Sequence, residues 1–169
     1  MARWTDLATW RGPTVNEGDG DGKPLEPADA LVEVRGLVVH IAEGSFEGTI
    51  AWCKNPAADV SSHFVVAKDG RIAQLVDTRD RSWCQRSGNS RWLSVENEGR
   101  LPTTLTAAQV EANARLLARA HQVYGVPLQV ATSPSGRGLG HHSMGADWGH
   151  QACPGPAIIG QKPAIVARA

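Results

Sequence analysis

The sequence predicts an α/β domain, and three observations carry that expectation. An amphipathic helix is written over Thr106–Tyr124, two apolar runs flank an Asp-Gly turn, and further apolar runs of strand length lie on either side. The chain has 169 residues, 41% of them apolar, and no internal repeat, which suits one domain around one core.

Residues 1–32 read as an N-terminal arm, because 11–30 (RGPTVNEGDGDGKPLEPADA) is too rich in Gly, Pro and Asp for regular structure. The folded domain is expected over 33–169. Glu33–Ile41 (EVRGLVVHI) is a short apolar run suited to a buried strand. Phe46–Asn55 fits a short helix that must stop before Pro56. Ser61–Ala67 and Arg71–Asp77 flank Lys68-Asp69-Gly70, a strong hairpin signal, and Trp92–Glu96 is a further strand. The long helix opens on a capping-box pair, Thr106 and Gln109. It carries a stripe of Val110, Ala114, Leu117, Ala120 and Tyr124, and Gly125 with Pro127 ends it. A short strand at Leu128–Ala131 is followed by a Gly/Ser-rich loop, Thr132–Gln151, long enough to suggest function. The tail, Pro154–Ala169, reads as a short helix broken by Pro163.

Charge excludes some classes. Seventeen basic residues cancel seventeen acidic ones, so the electrostatic footprint of a nucleic-acid binder is missing. No apolar run is long enough for membrane insertion, and Met1–Arg11 has no signal-peptide core. The expectation is a soluble chain made in the cytoplasm. Six of the nine aromatic residues are Trp, a type that lines sugar and peptide grooves but serves cores and rims as well. Cys53, Cys84 and Cys153 contain no CxxC pattern, and three free thiols fit as well as one pair (Cys53–Cys84) with one left over.

Histidines are unevenly placed. His40 ends the first strand, while His141, His142 and His150 crowd the long loop shortly before Cys153. A strand-end His, a loop His and a loop Cys are the donor types of a catalytic zinc, which takes three protein ligands and leaves one position open. His63 in the hairpin and His121 beside the helix stripe read as structural.

The segments LVVHIAEGS (37–45), SSHFVVAKDGRIAQLVDTRDRSW (61–83), SGNSRWLSVENEG (87–99) and GLGHHSMGADWGHQACPG (138–155) resemble, in order and spacing, the zinc-dependent N-acetylmuramoyl-L-alanine amidases of the type 2 amidase/peptidoglycan-recognition superfamily, in their phage-lysin and actinobacterial forms. The resemblance runs over about residues 33–165. It implies a mixed central β-sheet flanked by helices, with 33–169 as the amidase catalytic domain and zinc at the bottom of a groove. It implies His40 and Cys153 as ligands, with one of the doublet His141/His142 between them, since neighbours on extended backbone point opposite ways; His142 is favoured because the family pattern places the ligand just before a small-residue stretch like SMG. Glu96 matches the family's strand-end carboxylate, suited to general base and then general acid; Glu98 shares its strand parity. Two positions depart from the pattern: Phe64 where many relatives have Tyr, and Gln151 where they have Lys. His150 is then the nearest candidate for oxyanion stabilisation.

The expected activity is hydrolysis of the amide between N-acetylmuramic acid and L-alanine in peptidoglycan. Trp52, Trp83, the segment Ser87–Asn89, His141 and Gln151 are the expected substrate contacts. The resemblance further implies a monomer of endolysin type, reaching the wall after release by a partner. Two other readings stand beside it: a muropeptide-binding module, against which Cys153 argues, and a cell-wall cysteine peptidase with Cys53 as nucleophile. Cys53 falls late in its helix, away from the N-terminus where a thiolate is favoured.

Overall fold

Along the chain follow β1 (Thr9–Trp10), β2 (Gly36–Ile41), α1 (Phe46–Cys53), β3 (Phe64–Val66), β4 (Ile72–Gln74), β5 (Leu93–Asn97), α2 (Ala107–Tyr124), β6 (Gly138–His141) and α3 (Pro156–Val166). This computed structural model describes residues 3–20 and 27–169; positions 21–26 of the predicted irregular loop lie outside the described residues. The strands form one mixed sheet in the order β1-β4-β3-β5-β2-β6. β3 and β4 pair antiparallel around the Asp-Gly turn, and the other neighbours run parallel. Gly70 takes a φ of 89°, the left-handed region that this turn requires.

The period of two along each strand sorts side chains between two faces. Leu37, Val39, Phe64, Val66, Leu93, Val95 and Leu139 share one cluster with Val110, Ala114, Leu116 and Leu117 of α2 and Ile158 and Ile165 of α3. Val65 and Ala73 turn the other way and pack with Phe46, Ile50 and Cys53 of α1. Val38 and Trp92 meet Trp148 and Ala131 in a third cluster.

The capping box at α2 forms as its sequence predicts: Thr106 Oγ1 accepts from Gln109 N–H at 3.1 Å, and Gln109 Oε1 accepts from Thr106 N–H at 3.0 Å. Gly125 ends the helix at φ 63°. The N-terminal segment joins the domain. Trp4 is buried and stacks on Phe64 with ring centroids 5.0 Å apart, and Thr9 and Trp10 pair with Ala73 and Gln74.

Three readings are corrected. The long loop contains β6, which pairs with β2 from Gly36↔Gly138 to Val39↔His141. Its sequence, GLGH, lacks the β-branched residues that signal strands; glycine is needed there because a Cβ on Gly138 would meet the Gln129 carbonyl oxygen and one on Gly140 the Met144 side chain. Leu128–Ala131 makes only an isolated bridge, Val130↔Leu139. α3 passes through Pro163 unbroken. The proline removes one bond, to the Ile159 carbonyl, but Ile158 and Ile165 anchor the helix on either side of it.

Candidate metal centre and active site

The parallel register of β2 and β5 sets His40 directly opposite Glu96. Both have the parity that faces away from α2, so the C-terminal ends of two central strands deliver an imidazole and a carboxylate to one spot. The doublet after β6 then divides. His141 keeps strand parity and turns toward α3, where its Nδ1 meets Lys162 Nζ at 2.8 Å. His142 begins a 3-10 turn and swings back to the His40 side, with its Nδ1 3.0 Å from His40 Nδ1. The turn ending at Cys153 is pinned by Ser143 N–H donating to the Cys153 carbonyl. Cys153 Sγ lies 3.9 Å from His40 Nδ1 and accepts the Ile41 N–H at 3.4 Å.

The hydrogen bonds fix how these rings are protonated. His142 Nε2 is 3.1 Å from the Trp148 carbonyl, which can only accept, so Nε2 carries the proton. His40 Nε2 is 3.2 Å from Gln85 Oε1, while the nitrogen of that amide donates to the Trp92 carbonyl. His40 Nε2 is therefore the donor too. Burial pulls both imidazoles below their ordinary pKa and keeps them neutral. Two bare Nδ1 lone pairs then face one another at 3.0 Å, an arrangement that a cation between them satisfies and a hydrogen bond does not. Two imidazoles and one thiol, all within 4.8 Å of each other, are the donor set of zinc, and the outer-nitrogen bonds to Gln85 and Trp148 are the supports such ligands use. The residues fit the metal.

Glu96 Oε1 stands 3.9 Å from His40 Nδ1, and its Oε2 is buried with no hydrogen-bond partner among the described residues. Burial raises this carboxyl to about 7. Cys84, which no local signal marks for the site, packs against it and donates to Oε1 at 3.6 Å. Its sulfur is 3.5 and 3.7 Å from the two nitrogens of His40, so it lies over the ring rather than on either lone pair. Among the described residues all three cysteines are free.

Glu96, Cys84, His142 and Cys153 line a cavity of about 610 Å³, together with Trp52, Trp83, Glu43, Leu101 and His150, while His40 is buried behind its wall. Trp52 is 57% exposed on α1 at the rim. His150, whose ring centroid is 5.7 Å from that of His142, has a φ of 42°, a left-handed strain of the kind found at functional sites.

The structure does not bring the other expected contacts to this cavity. His141 faces α3. Asn89 Oδ1 accepts the Cys84 and Gln85 N–H groups and so shapes the loop behind the site. Gln151 Nε2 is occupied by the Gly145, Ala146 and Gly149 carbonyls. Phe64 sits in the α2 core, on the opposite face from His40, so a hydroxyl at that position would not reach the metal ligands. Glu98 lies beyond β5 and caps Lys68 N–H. Cys53 does border the cavity, but it is buried, with its thiol pushed up to about 12, which argues against it as a nucleophile. His63 is held between Ser94 and the Asp80 carbonyl, and His121 is exposed with Nδ1 on the Val126 carbonyl. Cys84, Gln85 and Glu43 were missed because only the folding of the 83–91 and 42–45 turns onto the strand ends makes them neighbours.

A mixed sheet presenting two imidazoles, a thiol and a buried carboxyl at its strand ends defines an α/β domain with a candidate mononuclear metal centre. The family model described as N-acetylmuramoyl-L-alanine amidase matches residues 30–156, and the chain belongs to that family. N-acetylmuramoyl-L-alanine amidase A of Achromobacter lyticus is 37% identical over 83 residues, and the match covers 47% of each protein. The chain thus spans about half the length of that curated relative. The fold is also that of a selenomethionine AmpD crystal structure (TM-score 0.68, 21% identity, 96% of each chain). Peptidoglycan recognition protein-LE, solved with tracheal cytotoxin, shares it as well (TM-score 0.66, 14% identity, 94% of each chain).

Proposed function

We propose that this chain is a zinc-dependent hydrolase of the amide joining the lactyl group of N-acetylmuramic acid to L-alanine in peptidoglycan. The observation that carries the proposal is the pair of bare Nδ1 atoms of His40 and His142, converging beside Cys153 and Glu96 at a cavity that His142, Cys153 and Glu96 line. Zinc held there supplies Lewis-acid polarisation of a carbonyl and activation of water at neutral pH.

The chain's own groups do the rest. Gln85 and the Trp148 carbonyl hold the two imidazoles in the tautomer that turns Nδ1 inward. Glu96 Oε2, buried and without a protein partner among the described residues, takes a proton from the attacking water and returns it to the alanine nitrogen as the C–N bond breaks. Cys84 holds the other oxygen of that carboxyl. His150, on the cavity wall, is placed to donate to the carbonyl oxygen as charge develops on it.

Elemental analysis together with mass spectrometry of digested peptidoglycan tests the reading. One zinc per chain is expected, with a new free N-terminal alanine on the released peptides. Glu96→Gln is expected to keep its zinc while turnover falls by about 10²–10⁴-fold. Cleavage at another bond, or a metal-free protein with unchanged turnover, would overturn it. Muropeptide binding without cleavage by the zinc-loaded protein would favour the binding-module reading.

A further inference from the structure

The charge in the cavity is one-sided. Among the described residues its walls hold two carboxyl groups, Glu43 and Glu96, and no lysine or arginine. Arg86, whose field reaches His142, stands over Gly149 and outside that lining. Glu96 is committed to the centre of the site. Glu43 is not: it sits at the bend between β2 and α1, exposed at the rim, with one oxygen held by the Leu101 N–H at 2.9 Å.

That bond anchors the carboxylate where its charge acts on whatever enters, and its field already reaches Cys153. The walls around it are largely apolar, with Ile41, Leu101, Val60 and Trp52. A fixed charge against such walls discriminates between charged ligands more strongly than one in open water. In the substrate proposed above, the amide-linked muramic sugar is neutral, and the stem peptide carries the charges, both amines and carboxylates.

We propose that Glu43 is a specificity determinant that selects amine-bearing, carboxylate-poor stem peptides over carboxylate-rich ones. The proposal rests on the amidase reading and adds a substrate class to it. Stems with an amidated second residue and a lysine third residue fit this wall. Stems with a free carboxylate at the second residue and a diaminopimelate third residue place like charge against it.

The test uses two muropeptides, muramoyl-L-Ala-D-isoglutamine-L-Lys and muramoyl-L-Ala-D-isoglutamate-meso-diaminopimelate, with the zinc-loaded protein. For each, kcat/KM and calorimetric affinity are measured in the wild type, Glu43→Gln and Glu43→Lys. The wild type is expected to favour the first substrate by about tenfold or more, Glu43→Gln to approach parity, and Glu43→Lys to invert the ratio. Equal wild-type ratios, or a ratio that Glu43→Lys leaves in place, would overturn the assignment of Glu43. Should neither substrate be cleaved, the amidase reading fails, and the affinity ratios still decide for or against Glu43.

Discussion

The two faces of the sheet solve different problems. Against α2 and α3, the strands present Leu37, Val39, Phe64, Val66, Leu93 and Val95, a layer closed by apolar packing. On the other face, the same strands present Val65 to α1 and set Ser94, His40 and Glu96 beside it, and the layer opens into the cavity at its C-terminal end. One face buries carbon; the other buries polar groups that must each find a partner. The doublet at 141–142 straddles this division, since His141 goes to the face that holds the fold and His142 to the face that holds the site.

The sharpest way to break the comparison is to exchange the doublet's roles. His142→Ala is expected to lower zinc affinity by well over the 10–100-fold typical of supporting residues, whereas His141→Ala stays within that range. Competitive chelation measures both, and the opposite order would mean that the division at β6 is misassigned. Next, Leu117→Ala on the α2 face is expected to cost about 2–5 kcal/mol in denaturant unfolding, because Leu117 is fully buried, while zinc affinity in the folded protein stays within error. A simultaneous loss of zinc affinity would show that the two faces are coupled. Gln85→Ala probes the support of His40. It is expected to reduce zinc affinity by about 10–100-fold with a smaller effect on stability than Leu117→Ala.

The most gradual expected effect concerns pH, because it develops only as pH falls below about 6.5 and is near zero at neutral pH. His63 is fully buried, and burial lowers its pKa to about 4, below the ordinary value of 6.5. The unfolded chain binds this proton more readily, so the contribution of His63 is fully present above about pH 6.5. It is lost as pH falls toward about 4, by at most about 1.4 kcal/mol per pH unit. His63→Asn should flatten that part of the stability profile in urea titrations. An unchanged slope would assign the acid sensitivity to the imidazoles of the site.

Much of the fold was legible because its signals are local. The Asp-Gly hairpin, the Thr106–Gln109 capping box and the Gly125 stop each lie within a few residues, and each forms as written. β6 was not legible, because its glycines answer to the close approach of the Gln129 carbonyl and the Met144 side chain and not to any strand propensity. Pro163 was misread as a break because the anchoring of α3 by Ile158 and Ile165 is tertiary. In the site, the resemblance named His40, His142, Cys153 and Glu96, which the structure gathers at one point. Asn89, His141 and Gln151 were expected as substrate contacts as well, and the structure spends their side chains on loop amides, Lys162 and loop carbonyls.

The sequence by itself determined which residues alternate, where the long helix starts and stops, and which donor types exist near the strand ends, because these follow from backbone period and side-chain chemistry. Only the tertiary structure decided that His40 stands opposite Glu96, that Gln85 and Trp148 turn both Nδ1 atoms inward, and that Cys84 and Glu43 share the cavity. Those relations depend on strand register and on loops separated by up to about a hundred residues in the chain. No local propensity encodes a distance of that kind; it is set when the two faces of the sheet are packed.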